Sequence, residues 1–481
     1  MRLTSRTLLT LAPLALAGLV ACGGDDGPAA PPIDPPGGSG DRTAVLTGDV
    51  TANRTLRKDT TYVLSGYVKV RGGATLTIQP GTRIVGDTTV PGSSLWILRG
   101  ARIDAQGTAA EPIVFTSQRA AGNRRPGDWG GIVIIGNAPI NRTANPIFTE
   151  GPAGVSDNYA GGTDAADNSG TLKYVRIEFA GYDVSNGGGQ ELNSLSSYAV
   201  GSGTRYDYVQ SLAGLDDSFE FFGGAPDIRH MVSYEAGDDH FDWTEGFHGR
   251  GQFLIALQST LLQPRAGTGT LSSDPRAFEG DGCESDKAGC TYANEPYSMP
   301  VFANFTVVGP GTGVFASTDG NGLVVRRGSG ATLVNGVIAR WPGTAIDVRD
   351  AESGALLAAD SITIRNVVLA ENGANFNAVG QAGRFGQAAN FTGKGLLEHA
   401  GSAASLLAAL PATPGDAASL DWTPAAGSPL ATAGLASFAG TAIAPRVAAY
   451  FGGAMPATAY AGAADPSGEK WWQDWTSYAR N

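Results

Sequence analysis

Hydrophobic positions along the chain fall in short runs rich in Val, Ile, Thr and aromatics, each bounded by Gly, Asn or Asp: ATLTIQPGTRIVG, SLWILRGARIDAQG, PIVFTS, WGGIVIIGNAPI, LKYVRIEFAG. Alternation of this kind predicts strands, and a helical period hardly occurs among them. The runs also repeat. Asp216-Asp217-Ser218-Phe219-Glu220-Phe221-Phe222-Gly223 returns 22 residues later as Asp238-Asp239-His240-Phe241-Asp242-Trp243-Thr244-Glu245. A second echo pairs ATLVNGVIARWPG, from Ala331, with ITIRNVVLAENG, from Ile362, so that Asn366 follows Asn335 by 31 residues. A period near 22 with occasional longer rungs suits three short strands and three turns, one coil of a parallel β-helix. The expected architecture is therefore all-β, a solenoid over residues 42–394 with roughly ten to fourteen coils stacked at the strand spacing. A propeller would need blades of about 40 to 50 residues and hairpin turns between paired runs, which are scarce here.

The two ends follow other rules. Residues 1–21, MRLTSRTLLTLAPLALAGLVA, carry two early Arg and an apolar stretch from Leu8 to Ala21, too short to cross a bilayer, and read as a signal peptide. Leu19-Val20-Ala21-Cys22 resembles a bacterial lipobox, which implies acylation of Cys22 and a membrane partner through that lipid. The competing reading is an ordinary secretory peptide with a chance Cys. Gly23 stands where an inner-membrane retention signal carries Asp, so the resemblance implies the outer membrane. Residues 22–41 are dense in Pro and Gly and form a tether. At the other end, residues 395–481 are partly Ala-rich, with a short helix expected over Ala403–Leu410, and close on Trp471, Trp472 and Trp475. Those indoles suit either a sugar platform or a cover for the end or side of the solenoid, and solenoid ends must be capped.

Composition narrows the function. The 481 residues hold 33 Lys or Arg and 45 Asp or Glu, a formal charge of -12, which excludes the basic face that nucleic acid requires. Gly 69 and Pro 27 make about a fifth of the chain, against nearer an eighth on average, as expected if coils turn sharply at fixed places. Four His (His230, His240, His248, His399) are too few for a histidine-rich metal centre. No G-x-S-x-G elbow, P-loop, H-E-x-x-H or dinucleotide fingerprint is present, so no organic cofactor is expected, and Asn186-Gly187-Gly188-Gly189 reads as loop material. Cys283 and Cys290, in GDGCESDKAGC, are expected to form a disulfide in an oxidising exported setting; a zinc site lacks a second Cys pair or nearby His.

The strings TLTIQPGTRI, GTAAEPIVFTS, GDWGGIVIIGNAPIN, LKYVRIEFAGY, QELNSLSSYAVGSGT, DDSFEFFGG, DDHFDWTEGFHGRGQF and YAGAADPSGEKWWQDWT together resemble a group of exported bacterial β-helix proteins, many of them lipoproteins on cell surfaces. The resemblance runs from about Thr43 to the C-terminus. It implies a right-handed parallel β-helix and carries no established reaction.

The acidic repeat is the candidate chemistry. Alternation puts Asp217, Phe219 and Phe221 on one face and Asp239, Phe241 and Trp243 on its counterpart, with the aromatics buried. Ser218, Glu220 and Phe222 are then expected outside, as are His240, Asp242 and Thr244. If the copies occupy adjacent coils, Glu220 sits one strand spacing from Asp242, and such like charges repel and raise a carboxyl pKa. Three answers compete. Calcium, with its six to eight oxygen ligands, would be held by Asp216, Asp217, Glu220, Asp238, Asp239 and Asp242. A proton-sharing pair would serve acid-base cleavage of a polysaccharide, with Glu220, Asp242, His240, His248 and Arg250 as catalytic candidates. A purely structural role has Asp217 and Asp239 capping turns through backbone N–H groups. Pectin-hydrolysing β-helix enzymes offer a pattern for cleavage, and Phe247-His248-Gly249-Arg250 echoes part of it. This chain departs from that pattern, having no Asn-Thr-Asp before the Asp pair and no Arg-Ile-Lys after it, and those departures weigh against a glycosidase. In the lyase variety Arg229 or Arg250 could serve as base beside calcium-held uronate, or either could equally form an ion pair with the acidic coils. The sequence therefore favours a lipid-anchored surface β-helix acting as a calcium-holding binding or structural module, with a glycan or an outer-membrane protein as partner. The alternative is a polysaccharide lyase or glycoside hydrolase using the same coils.

Overall fold

A computed structural model describes residues 42–185, 189–315 and 320–478; the signal peptide, Cys22, the tether and most of the Asn186 glycine string lie outside the described residues. Two long parallel ladders make up the body. Twelve strands follow one another from Arg42–Leu46 to Leu397–His399, and eleven from Asp49–Val50 to Ala374–Phe376. The chain alternates between the ladders, so each coil stacks on the last and the fold is a parallel β-helix.

The first coils carry three separate strands, for example Tyr67–Val70, Thr75–Ile78 and Arg83–Gly86. From Gly170–Glu178 onward two of the three fuse into one bent strand. Its first half pairs with Arg102–Gln106, its second with Ile113–Ser117, and the bend falls at Tyr174, φ 49°. Every later coil bends at the same place, at Tyr208, His230, Phe253, Asn304, Asn335 and Asn366, all with φ between 50° and 62°. The sequence assigned coil corners to Gly, yet this column holds bulky residues in a conformation that costs an L-residue roughly 1–2 kcal/mol. Lateral packing offsets it. The rings stack in order, Tyr174 on Tyr208 at 4.2 Å, Tyr208 on His230 at 4.1 Å and His230 on Phe253 at 5.2 Å.

The C-terminal segment lies along this bent column. Trp475 meets Tyr174 and Tyr208 edge-on, Trp471 packs on His230, and the Asn304, Asn335 and Asn366 amides donate to backbone oxygens of Gly462, Thr458 and Ala433. Trp472 and Trp475 are fully buried, so these indoles cover the side of the solenoid and form no open sugar platform. The helix expected over Ala403–Leu410 is instead a 3-10 turn, Ala403–Ser405, and a strand, Leu407–Ala409, that pairs antiparallel with Asp421–Pro424.

Inside, aromatic side chains stack coil on coil: Phe219, Phe241 and Phe278 have ring centroids 5.4 Å apart at each step. Beside them Trp243 lies over Gly280, where a Cβ would come within 2.1 Å of the indole, so only Gly fits.

Candidate functional site

The two acidic copies occupy adjacent coils, with Glu220 paired to Asp242 in register. The next strand, Phe278–Asp281, continues the row, placing Glu279 beside Asp242. Sequence reasoning missed Glu279 and Asp281 because the third copy lies 37 residues on, beyond an insertion; the Phe-acid dipeptide shared by Phe219-Glu220, Phe241-Asp242 and Phe278-Glu279 was the available signal.

At the turn leading into these strands a second row forms. Asn193 Oδ1 accepts from the Asp217 N–H at 3.1 Å, Asp217 Oδ1 from the Asp239 N–H at 2.8 Å, and Asp239 Oδ1 from the Arg276 N–H at 2.5 Å. One oxygen of Asp217 and one of Asp239 therefore hold the turn of the following coil. Asp216 and Asp238 stand beside them at the mouth of the turn.

Two corrections follow for the expected outward residues. Ser218 and His240 are both completely buried. The turn precedes the regular strand, so alternation does not govern it, and both side chains close on the neighbouring face of the coil. Ser233 Oγ donates to Ser218 and lies 2.5 Å from His240 Nδ1, while Trp341 covers the ring edge-on. Burial pushes the His240 imidazole down to about 3, so it is neutral and sealed from any substrate. His240 is thereby removed from the catalytic candidates. Phe222 and Thr244 do point away from the core, but both are buried. Phe222 stacks on Tyr198 at 4.1 Å under the insertion that carries Tyr159.

That insertion and the Cys283–Cys290 disulfide loop wall a trough of about 190 Å³ over the acidic row. Arg142 donates to Ala288 O, and both the N–H and the hydroxyl of Thr143 donate to Gly289 O, tying wall to wall. Glu150 and Glu191 enter from the walls, and no repeat in the sequence announced them. Cations stand in the walls and at one end: Arg142 pairs with Glu245 and Lys287 with Glu284. Arg276 pairs with Asp239 and Glu279, and Arg326 with Glu279 and Asp281. No Lys or Arg is within ion-pair distance of Asp217, Glu220 or Asp242 among the described residues; Glu220 receives a 2.5 Å hydrogen bond from Asn193 Nδ2.

The electrostatic consequence is uniform in sign. Burial, then neighbouring carboxylates, raise Asp216, Asp217, Glu220, Asp239 and Asp242 well above the usual carboxylate range, and Glu150 is pushed up to about 8. Asp238 is raised as well, by burial first, although Arg276 opposes the shift. Buried Oδ1 atoms of Asp238 and Asp242 have no hydrogen-bond partner. Carboxylate oxygens of Asp217, Glu220 and Asp242 lie within 4.8 Å of one another, as do those of Asp216, Asp217 and Asp238 and those of Asp239, Asp242 and Glu279. Ligands sharing a calcium at 2.3–2.6 Å span at most about 5 Å, so these all-oxygen donor sets fit a hard cation.

His248 and Arg250 are not part of this trough. They lie past the far end of the same strands, about 13 Å along the chain direction from Glu220, where the His248 N–H bonds Gly224 O and Arg250 pairs with Asp227. Arg229 likewise pairs with Asp207 on the bent ladder. The structure thus separates the acidic and basic candidates that a single catalytic site would need together.

The molecule is, by class, a parallel β-helix with a carboxylate-lined trough on one of its faces. More narrowly, residues 48–406 match the Pectate-lyase like beta helix domain, and the chain belongs to that family. No curated protein and no solved structure matches the chain.

Proposed function

We propose that this protein is an exported surface module, anchored through lipid on Cys22 at the outer membrane, whose trough holds calcium. The observation that carries the reading is the Asp217, Glu220 and Asp242 triplet: three converging carboxylates, no cation partner among the described residues, and a buried Asp242 oxygen with nothing there to accept from. Protonation relieves the repulsion only below the raised carboxyl range, whereas a divalent ion relieves it above that range and uses the orphaned oxygen. Asp216, Asp238, Asp239 and Glu279 would extend the donor set along the row. A glycan or an outer-membrane protein is the partner class that a calcium-loaded face would present itself to.

Calorimetry on protein lacking residues 1–21 tests this reading. Calcium is expected to bind and to raise the melting temperature, chelator to reverse both, and Asp242→Asn or Asp239→Ala to weaken binding at least about tenfold, in line with the dependence of affinity on ligand charge. Absence of heat together with an unmoved melting temperature would sink it.

Membership in the pectate-lyase-like family favours a second reading, a polysaccharide-acting module in which Glu220 and Asp242 exchange a proton. A panel of acidic and neutral polysaccharides, followed by reducing ends and unsaturated uronate absorbance, separates it from a binding role, because only cleavage yields product.

A further inference from the structure

Past the far end of the trough strands, the bent strands begin with a cross-strand row of Arg205, Asp227 and Arg250. The C-terminal helix Ile443–Arg446 folds over this row and closes a pocket of about 500 Å³. The charges in it do not balance. Asp227 accepts from Arg250 at 2.7 Å and from the Phe451 N–H at 2.7 Å, so it is already taken. Arg446 donates to Thr332 Oγ1 at 2.5 Å, to Met299 O and to Pro300 O at 3.3 Å, all neutral acceptors, and no carboxylate pairs with it among the described residues. Burial without a counter-charge pushes its guanidinium down to about 10. Arg205 rests on the Phe451 ring at 5.6 Å and also pairs with no carboxylate among the described residues. Three guanidiniums thus face one carboxylate in a molecule whose overall charge is -12.

An apolar cavity of about 240 Å³ opens from this pocket, sharing Ala165, Ala225 and His248 with it and lined further by Ala138, Pro139 and Pro296. Guanidinium groups recognise carboxylate and phosphate oxygens by paired, charge-assisted hydrogen bonds. A buried cation without a partner is costly unless an anion meets it. We infer that this pocket binds a ligand with an oxyanion head, carboxylate or phosphate, held by Arg205, Arg250 and Arg446, and a short apolar body lying along Ala138, Pro139 and Pro296. This inference does not rest on calcium in the trough, and its failure would leave that reading untouched.

Calorimetric titration of the full-length protein at low ionic strength, with hexanoate, acetate and inorganic phosphate as probes, tests it. Hexanoate is expected to saturate and to bind at least about fivefold tighter than acetate, since each buried methylene adds favourable transfer energy. Arg205→Gln and Arg446→Gln should each weaken hexanoate about fivefold or more. Arg205 is exposed and holds no structural carboxylate, so its variant should melt with the wild type and serves if Arg446→Gln disturbs the fold. Failure of hexanoate to saturate, or equal binding by wild type and Arg205→Gln, would overturn the proposal. Phosphate binding as tightly as hexanoate would overturn its apolar part.

Discussion

His240 shows how a single side chain inside an acidic repeat can serve another purpose. It stands where the first copy has Ser218, and both positions bond to the bent strand through Ser233. Its neutral, buried ring makes acid unfavourable for the fold. Because the folded value is about 3 and the unfolded value near 6.5, the unfolded chain takes up the proton first, and stability is lost as pH falls through that window. Denaturant midpoints of wild type and His240→Gln, compared at pH 7 and pH 4.5, should show the steeper acid loss in the wild type; parallel losses would contradict a buried neutral imidazole. Gly280 is the converse case, a residue defined by what it lacks. Gly280→Ala drives a methyl into the Trp243 indole and is expected to destabilise by about 1–3 kcal/mol in urea unfolding, the usual range for overpacking. Neither fact was legible beforehand: alternation says which face a strand residue takes, but His240 lies in a turn, and the pairing of Gly280 with Trp243 requires register across an insertion.

Among elements, the strands were the legible part. Apolar alternation and the 22-residue echo gave a parallel β-helix, and the pairing of Glu220 with Asp242 follows from that period alone. The fusion of two strands at the Tyr174 column was not legible, because left-handed backbone at Tyr, His and Phe leaves no mark in composition. Nor was Arg276, which takes the third-coil place of Asp239 and ends the uncompensated acidic row. The row as a unit has a pH signature of its own. Raised carboxyl groups bind protons in the folded state before the unfolded chain does, so their stabilising contribution is full below the usual carboxylate range and is lost as pH rises through each raised value, which for Glu150 is about 8. In chelator, the melting temperature should therefore fall between pH 5 and pH 8 by more in the wild type than in Glu220→Gln, and calcium should flatten the difference. A wild type and variant with the same slope in chelator would show that the row is not charged as described.

Taken whole, the molecule has local and distant contacts of very different reach. Coils meet their neighbours mostly 22 to 51 residues away, as in Arg205 with Asp227 or Arg250 with Val301. The C-terminal segment reaches much further back, with Gln210 bonded to Ser477 through both its amide atoms and Trp422 to Tyr234. Removing residues 471–478 would uncover the stacked rings of Tyr174, Tyr208 and His230, and is expected to lower the melting temperature and raise binding of a hydrophobic dye. The consequence is kinetic. A stack of coils can nucleate anywhere and zip from rung to rung, as one-dimensional assemblies do, yet this one also needs a closure of high contact order, between partners 188 to 267 residues apart. Refolding should accordingly show a rapid phase in which the ladders form and a slower one, reported by Trp471, Trp472 and Trp475 fluorescence, in which the seam is sealed.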